Sequence, residues 1–421
     1  MEKSKNICTF VNDNLADYTC MKRICFITDS IFKSGGMQRV TAVIAEELTK
    51  YYDVTIVSFE DPKQQDLSMY SLKDYPVKVV FTHFPELGKW KRMSYNIYSY
   101  LYKNLLPKTA LTSDLYAHSS FSREKREAVV KVLKEGDFDT IIAVNSYLSM
   151  RLATIKRDLG GVKAIGWIYN SFNAFLREAS PYLGTELKYH YGRQLQKLDE
   201  TVLLYLQDSE MYYHAYGFSP FVIPNPLTLK PGAPSTGKNK RFLAVGRLTP
   251  KHKGFDLLIK AFDKFAQRNS DWYLDIVGDG PEKEALNKMI ENRYLTKRIK
   301  IHPFTENIQM FYSQASIYVS SSRWKDFGLV LVQAMAHGLP VISSDLPSSK
   351  EILGDFGMYF KNGDVDDLAK RLEEATYMDW QLKSNEAIMI SQRFNANVIA
   401  EQWKTLIESD GQRNRKSKFK K

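Results

Sequence analysis

Glycines and cations occur together where a predicted strand gives way to a predicted helix. Gly246 and Arg247 directly follow an apolar strand, and Lys253 and Gly254 precede the next helix. Two cations in such a loop can neutralise a diphosphate through charge-assisted hydrogen bonds. Solvated charges at a strand end are the alternative if each cation is considered alone.

Two further glycine loops occupy comparable junctions. Gly35 and Gly36 lie between an apolar strand and a periodic helix, while Gly278 and Gly280 follow a later strand. Pro281 is suited to the first turn of the helix that comes next. Glycine lets backbone N–H groups and a helix N-terminus approach an anion closely. Glycine turns without a ligand are also common, so each loop alone is weak support for an anion site.

The stretch WKDFGLVLVQAMAHGLP, residues 324–340, places a polar side chain in an apolar helix. Gly328 marks the predicted helix start, and Gly338 and Pro340 are expected stop signals. The helix is apolar on nearly every face and should be buried, so Gln333 needs a polar partner. We therefore predict a polar group bound beside it. Together, the four loops predict a phosphate-bearing ligand at the carboxyl ends of strands.

The composition is that of an ordinary globular protein with two or three domains. The chain has 421 residues, of which 44% are hydrophobic and 25% charged. Three cysteines fit neither a disulfide framework nor a zinc pattern, which favours a reducing cytosol. No apolar run is long enough to span a membrane, and residues 1–20 lack the core of a signal peptide. We expect residues 1–20 to form a disordered extension.

The net charge of the chain does not by itself indicate a nucleic-acid partner. The formal charge is +11, and six of the basic residues lie between Arg413 and Lys421. This tail is compatible with a solvated end or with contact to anionic lipid. No helix-turn-helix, zinc or RNA-binding signature accompanies the charge, so no nucleic-acid partner is expected.

Predicted strands alternate with predicted helices, the pattern of a parallel sheet covered on both faces. The first half has predicted strands at Arg23–Asp29, Asp53–Phe59, Asp139–Val144 and Ala164–Tyr169, and a helix at Gln38–Lys50. The second half has predicted strands at Arg241–Val245, Tyr273–Val277, Ile299–His302 and Ile317–Ser320, and helices at Phe255–Arg268, Glu282–Asn292 and Ile308–Gln314. Residues 224–240 have the composition of a linker. We predict two α/β domains with a ligand in the cleft between them.

The order of these motifs resembles the large retaining family of two-domain nucleotide-sugar glycosyltransferases, the glycogen-synthase-like, family 4 group that builds bacterial surface polysaccharides and glycolipids. The resemblance is densest in VGRLTPKHKGFDLLIKAF (245–262), IVGDGP (276–281), SSRWKDFGLVLVQAMAHGLPVISSD (321–345) and NGDVDDLAKRL (362–372). It implies the GT-B fold, in which two Rossmann-like domains face a cleft and the last helix, about Ala396–Glu408, crosses back to the first domain. The implied divisions are an acceptor-side domain (21–228), a linker (229–240), a nucleotide-sugar domain (241–395), a crossover helix (396–410) and a basic tail (411–421).

The resemblance also implies the chemistry. The donor would be a sugar on a nucleoside diphosphate of UDP or GDP type, and the acceptor a saccharide or a lipid-linked molecule. In the family, cations matching Arg247 and Lys253 meet the charge of the departing diphosphate, without a metal or other cofactor. Their spacing here is one residue longer than is usual in the family. Positions assigned to the donor site are Gly35, Gly36, Gly278, Gly280, Phe327, Gly328, Leu329, Gln333 and Glu351.

Three positions depart from the family pattern. Lys325 and Gln333 stand where the family carries two glutamates, and Tyr169 stands where it has a histidine near the reacting sugar. Gln333 can still accept hydrogen bonds, Lys325 can pair with phosphate, and Tyr169 can donate but cannot become a cation at neutral pH. Two hypotheses follow: an active transferase with a rewired pocket, in which Lys325 and Tyr169 join the catalytic set, and a catalytically impaired relative that binds sugar or supports a partner. Retention of Arg247 and Lys253 favours the active enzyme.

The acceptor side is expected in the first domain, at Trp90 and Asn170. Residues 89–103, KWKRMSYNIYSYLYK, interleave aromatic and basic side chains, which suits a peripheral membrane contact. The alternative is that the tyrosines, spaced three and four apart, pack the helix on its own core. The expected location is the cytoplasm, including the inner face of the membrane. No metal site is expected, because the histidines have no ligands at metal-binding spacing.

Overall fold

Two parallel β-sheets, one in each half of the chain, form the frame of the protein. A computed structural model describes residues 21–33, 35–61, 63, 66, 69–82, 84–177, 180, 182–249, 252–324 and 328–409. The expected extension at 1–20, the basic tail, Lys325 and Phe327 lie outside these residues.

The first sheet has seven strands among the described residues. They are β1 (Arg23–Thr28), β2 (Asp53–Ser58), β3 (Lys78–Phe81), β4 (Thr140–Val144), β5 (Lys163–Trp167), β6 (Glu200–Leu203) and β7 (Phe221–Val222). Their order is β3-β2-β1-β4-β5-β6-β7, and every pairing is parallel. The central strands are near-continuous apolar runs because helices cover both faces of the sheet.

The second sheet has six strands among the described residues, also all parallel. They are β8 (Arg241–Val245), β9 (Tyr273–Val277), β10 (Ile299–His302), β11 (Ile317–Ser320), β12 (Val341–Ser344) and β13 (Met358–Phe360). Their order is β10-β9-β8-β11-β12-β13. Both sheets reverse their strand order beside the first strand of the half, which is where α/β proteins bind ligands.

Helices connect the strands and cover the sheets. In the first half they are α1 (Gly36–Leu48), α2 (Lys89–Asn104), α3 (Ala110–Ser120), α4 (Arg123–Glu135), α5 (Ser146–Ile155), α6 (Phe172–Leu176), α7 (Lys188–Leu195) and α8 (Leu206–Tyr216). In the second half they are α9 (Phe255–Ala266), α10 (Lys283–Asn292), α11 (Gln309–Gln314), α12 (Leu329–Ala336), α13 (Pro347–Leu353), α14 (Val365–Ala375), α15 (Trp380–Ser391) and α16 (Ala396–Glu408). No helix in the part of the chain that is described is both long and apolar enough to cross a bilayer.

The last helix returns to the first sheet, as predicted. The ring of Trp403 on α16 packs edge-on against Trp167 at the end of β5, with centroids 4.7 Å apart. The ammonium of Lys163 donates to the Leu406 carbonyl at 2.6 Å, near the helix C-terminus, where a cation complements the dipole. Tyr52 donates to Glu408 at 2.7 Å. These contacts fasten the end of the described chain to its first half.

The predicted strands and helices are confirmed, with small differences at their ends that have physical causes. The strand predicted to reach Phe59 ends at Ser58, and the Phe59 ring stacks on Phe84 with centroids 4.6 Å apart. The strand predicted to reach Tyr169 ends at Trp167, and the Tyr169 ring folds back to lie 4.9 Å from the Trp167 ring. Differences of one or two residues at the ends of strands are ordinary, because regular backbone pairing fades there.

Candidate active site

The glycine loop of the first half lies at the carboxyl end of β1. Gly35 precedes α1 in an extended conformation, and its amide donates to the Tyr70 hydroxyl at 3.1 Å. One N–H of the predicted anion site is therefore already paired within the protein. A methyl group added to Gly36 would lie 3.5 Å from Cδ1 of Leu329, the first residue of α12.

This contact shows how the two halves face each other. Leu329 packs against the apolar core of the first half, although it begins a helix of the second. Since Gly36 follows β1 and Leu329 follows β11, the carboxyl edges of both sheets border one cleft. The predicted cleft is therefore present, and Gly36 and Leu329 face each other across it.

Glu60, which the motif analysis did not identify, holds the segment before the glycine loop. Its carboxylate accepts hydrogen bonds from the Ser30 hydroxyl at 2.5 Å, the Ile31 amide at 2.6 Å, the Ser58 hydroxyl at 2.8 Å and the Phe32 amide at 3.1 Å. Burial alone would raise the pKa of Glu60, but these four bonds outweigh it and lower the pKa. The signal available in the sequence was an acidic residue directly after the apolar run DVTIVSF.

A second polar cluster missed by the motif analysis lies at the same edge. The Asn145 amide after β4 donates to the Asp29 carboxylate after β1 at 2.8 Å, and its oxygen caps α5 at the Leu148 amide. Asn145 has a φ of 91°, an unusual conformation for a residue with a side chain. Arg151 lies 3.7 Å from Asp29 and over the ring of Phe84 at 5.0 Å. This cluster adds a carboxylate paired with a guanidinium to the same edge.

The predicted phosphate-binding cations lie at the carboxyl end of β8. Arg247 is exposed, and its guanidinium forms no ion pair with any residue that the structure describes. A methyl group added to Gly246 would lie 3.5 Å from Cδ and Cε of Lys253, so the aliphatic part of the Lys253 side chain lies over Gly246. The loop therefore brings the two cationic side chains to the same strand end.

The turn after β9 runs beside this loop and requires its glycines. Gly278 and Gly280 have φ of 154° and 157°, and a Cβ on either would collide with the carbonyl oxygen of Gly246 or Leu248. The Leu248 amide donates to the Asp279 carbonyl at 2.9 Å, which ties the two loops together. The two glycines thus allow close backbone packing beneath the cations, a role the pattern alone did not reveal.

The segment leading to the altered motif is held against the Lys253 loop. Ser321 donates through its hydroxyl to the Lys253 carbonyl at 3.0 Å, and the Arg323 amide donates to the His252 carbonyl at 3.0 Å. Trp324 stacks on His252 with centroids 5.4 Å apart. The described segment that ends at Trp324 therefore lies directly beside the loop of Lys253.

Gln333 has a partner within the protein. Its side-chain oxygen accepts the Tyr312 hydroxyl at 3.0 Å, and Tyr312 stacks on His337 with centroids 4.9 Å apart. The residue is 8% exposed. The prediction that a bound polar group satisfies this side chain is therefore unnecessary, although an amide oxygen can accept a second hydrogen bond.

Tyr169 is placed for packing between the halves. Its ring contacts the apolar cores on both sides of the cleft, and its hydroxyl is shielded from solvent. Burial raises the pKa of Tyr169 well above its usual value, and Thr41 on α1 lies beside the hydroxyl and partly offsets this. In this arrangement the hydroxyl does not reach open cleft, so the geometry gives no support to Tyr169 as a proton donor to substrate.

Glu351 also has a structural partner. Its carboxylate accepts the Leu206 amide at 2.7 Å and so caps the N-terminus of α8 from the other half of the chain. Burial raises the pKa of Glu351, and the amides of Leu206 and Gln207 act in the opposite direction. The expected donor-binding residue is thus a cap between the two halves.

The expected acceptor-side residues lie on separate elements. Trp90 is in the first turn of α2 with 81% of its surface exposed, and Asn170 is half-buried after β5. A cavity of about 530 Å³ opens beside α2, with Phe84, Arg92 and Lys125 among its walls. Among the described residues, no group of three or more His, Cys, Asp and Glu side chains could hold a metal ion.

Comparison with known proteins defines the class. Residues 228–416 match the family described as Glycosyl transferases group 1. The match covers slightly less than half of the chain, and the two parallel-sheet halves form the predicted GT-B fold.

An uncharacterised glycosyltransferase of Haemophilus influenzae is 27% identical over 400 residues, which cover 92% of this chain and 100% of that protein. The O-antigen biosynthesis glycosyltransferase WclY of Escherichia coli is 30% identical over 146 residues, covering 35% of this chain and 38% of WclY. Among solved structures, Anabaena Alr3699/HepE in complex with UDP and glucose has a TM-score of 0.66 at 19% identity, covering 92% of this chain and 99% of that one. TarM from S. aureus has a TM-score of 0.70 at 16% identity, covering 92% and 99%.

Proposed function

We propose that the protein transfers a sugar from a nucleoside-diphosphate donor of UDP or GDP type to a saccharide or lipid-linked acceptor, with retention of anomeric configuration. The observation that carries the proposal is the group at the carboxyl end of β8. There Arg247 is exposed with no ion-pair partner among the described residues, and the Lys253 arm lies across Gly246.

The chemistry requires charge stabilisation at one place. When the bond from the anomeric carbon to the diphosphate breaks, its electron pair passes to the departing phosphate oxygen. In this proposal, Arg247 and Lys253 bind that oxygen more strongly as its charge grows, which lowers the barrier. The acceptor hydroxyl attacks from the face that the nucleotide leaves, and its proton passes to the departing diphosphate.

The acceptor is assigned to the first half of the chain. Phe84 lines the polar cavity beside α2 and lies 5.0 Å from the Arg151 guanidinium, which in turn is 3.7 Å from Asp29 after β1. WclY acts in O-antigen biosynthesis, and the yeast GPI3 subunit of a phosphatidylinositol N-acetylglucosaminyltransferase is 28% identical over 37% of this chain. These relatives support polysaccharide or lipid-linked acceptors, and the sparse cysteines support a cytoplasmic location.

The catalytically impaired relative is the second candidate. Two contacts within the protein favour it: Gln333 accepts a hydrogen bond from Tyr312, and the Tyr169 ring packs against the apolar cores. The position of Arg247 favours the active enzyme, because a scaffold that binds no nucleotide has no need of an uncompensated cation at this edge.

The test is to incubate the protein with a panel of UDP- and GDP-sugars and with saccharide and lipid-linked acceptors. Mass spectrometry then follows nucleoside diphosphate release and glycosylated product. The expected result is product from one donor class, and a loss of about 100-fold or more in Arg247→Ala. Arg157→Ala, which replaces an exposed arginine in the first half of the chain, is the matched control. Failure of every donor to bind or react would overturn the proposal.

A further inference from the structure

Helix α2 carries an apolar stripe that faces solvent. Its large hydrophobic side chains on this side are Trp90 (81% exposed), Met93 (48%), Ile97 (53%) and Tyr100 (63%). Their spacings of three, four and three residues place them on one side of a helix with 3.6 residues per turn. Soluble surfaces rarely present so many large apolar groups together without a partner.

The opposite side of α2 performs the ordinary packing. Tyr102 is fully buried and stacks on Tyr116 of α3 with centroids 4.7 Å apart, and Tyr98 donates to the Thr112 carbonyl at 3.1 Å. The packing interpretation of the segment therefore holds for Tyr98 and Tyr102. Tyrosines 98 and 102 form the core contact, which leaves the outward stripe without a function in folding.

The neighbouring helix α3, which packs against the inner side of α2, also exposes apolar side chains. Leu111 and Leu115, one turn apart, are 70% and 49% exposed and lie opposite the buried Ser113, Tyr116 and Ala117. We call Trp90, Met93, Ile97, Tyr100, Leu111 and Leu115 the α2–α3 outer face.

The charged side chains of α2 itself have one sign. No acidic residue occurs between Glu86 and Asp114. At 100° per residue, Lys89, Arg92 and Lys103 border the stripe along one side of α2, and none of them forms an ion pair with a described residue. Lys91, on the inner side, is paired with Glu124 at 2.5 Å. The unpaired cations are thus those beside the apolar stripe.

We propose that the α2–α3 outer face binds the surface of an anionic lipid bilayer, with its apolar side chains at the headgroup boundary and its cations on lipid phosphates. Tryptophan and tyrosine favour this boundary, and basic residues beside an apolar helix face strengthen binding to anionic lipid. A second copy of the chain is disfavoured as the occupant, because it would bring the same positive charge against this face.

The location of the face suits a lipid-anchored acceptor, a consequence that rests on the proposed function. Helix α2 follows β3, and parallel strands end at a common edge, so its first turn lies on the cleft-facing side of the first sheet. A bilayer on the outer face would therefore lie near the opening of the cleft. The binding proposal itself does not depend on catalysis.

The test is flotation of the full-length protein with vesicles of phosphatidylcholine, alone or mixed with phosphatidylglycerol. We expect binding to the mixed vesicles and a drop of at least about tenfold in partitioning for Trp90→Ser/Ile97→Ser/Tyr100→Ser. Lys89→Gln/Arg92→Gln should weaken the preference for phosphatidylglycerol. The matched control, Tyr294→Ser/Tyr377→Ser/Leu382→Ser, removes exposed side chains of the second half and should float like the unaltered protein.

Three results would overturn the proposal. The first is that the unaltered protein floats with none of the vesicles. The second is that the triple variant of the outer face floats as well as the unaltered protein, which would assign binding to residues 1–20 or 411–421. The third is that this variant changes the molecular mass in solution, which would assign the face to self-association. Nucleotide binding measured on the same variants is expected to be unchanged. If the unaltered protein bound no nucleotide, the proposed function would be refuted, but the membrane-binding proposal would not be.

Discussion

A methyl group on Gly36 would lie 3.5 Å from Cδ1 of Leu329, an ordinary van der Waals distance across the cleft. The glycine loop after β1 therefore meets the start of α12 with space for a methyl group and little more. The two loops assigned to the donor therefore meet at this contact.

Replacing Gly36 by a large residue should push these loops apart. We expect Gly36→Leu to cost about 1–3 kcal/mol in stability and to reduce sugar transfer. Leu329→Ala in the same chain should recover part of both losses, because it removes the opposing atoms. A double-mutant cycle in unfolding and turnover measures the coupling. Strictly additive effects would mean that the two side chains do not meet.

Glu60 should stabilise the loop that precedes the glycines. Glu60→Gln leaves an amide N–H₂ facing donors, and we expect a loss of about 2 kcal/mol in the free energy of unfolding. Urea denaturation measures it, and Glu291→Gln, at an exposed position, is the control. An effect no larger than that of the control would contradict the assigned role.

The same carboxylate predicts a pH dependence. Because the pKa of Glu60 is lowered in the folded protein, its contribution is fully present above the ordinary glutamate value of 4.5. The contribution is lost as pH falls through the lowered pKa. The stability difference between the unaltered protein and Glu60→Gln should therefore shrink on acidification below that value. A difference that grows in acid would show that the carboxylate is not stabilised by these hydrogen bonds.

Glu351 should act on stability more than on donor binding. Glu351→Ala removes the cap of α8 and should cost about 0.5–2 kcal/mol, as caps generally do. The KM for the donor should change little. A large rise in KM with unchanged stability would restore the donor-binding role expected from the family resemblance.

The altered motif separates the active and impaired hypotheses. If Lys325 pairs with the donor diphosphate, Lys325→Glu should weaken donor affinity by at least about tenfold. Gln333→Glu should be milder, because Tyr312 can donate to a carboxylate as well as to an amide. Turnover of a donor panel by each single variant and by the double variant provides the measurement. Activity that emerges only in the double variant would favour the impaired relative.

The sequence predicted those parts of the fold that depend on local patterns. Apolar strands such as Tyr273–Val277 and helix signals such as Gly328 are visible in adjacent residues, so their positions were predicted to within about two residues. The cations at 247 and 253 were likewise visible as part of a loop motif.

What the sequence did not show depends on contacts between distant residues. Gln333 could be recognised as a buried polar residue, but its partner Tyr312 lies on another helix. Glu351 matched a family position, yet only the packing of α13 against α8 reveals the amide that it caps. Sequence patterns identify a group that needs a partner, and the three-dimensional packing determines which partner it has.

The central claim is that the Arg247 edge of the cleft binds the diphosphate of a nucleotide. The most direct measurement is calorimetric titration of UDP, GDP and the corresponding monophosphates into the unaltered protein, Arg247→Ala and the control Arg157→Ala. We predict that one diphosphate binds at least about tenfold more tightly than its monophosphate, and that Arg247→Ala removes most of this preference. Equal affinity for diphosphate and monophosphate, or unchanged binding in Arg247→Ala, would contradict it.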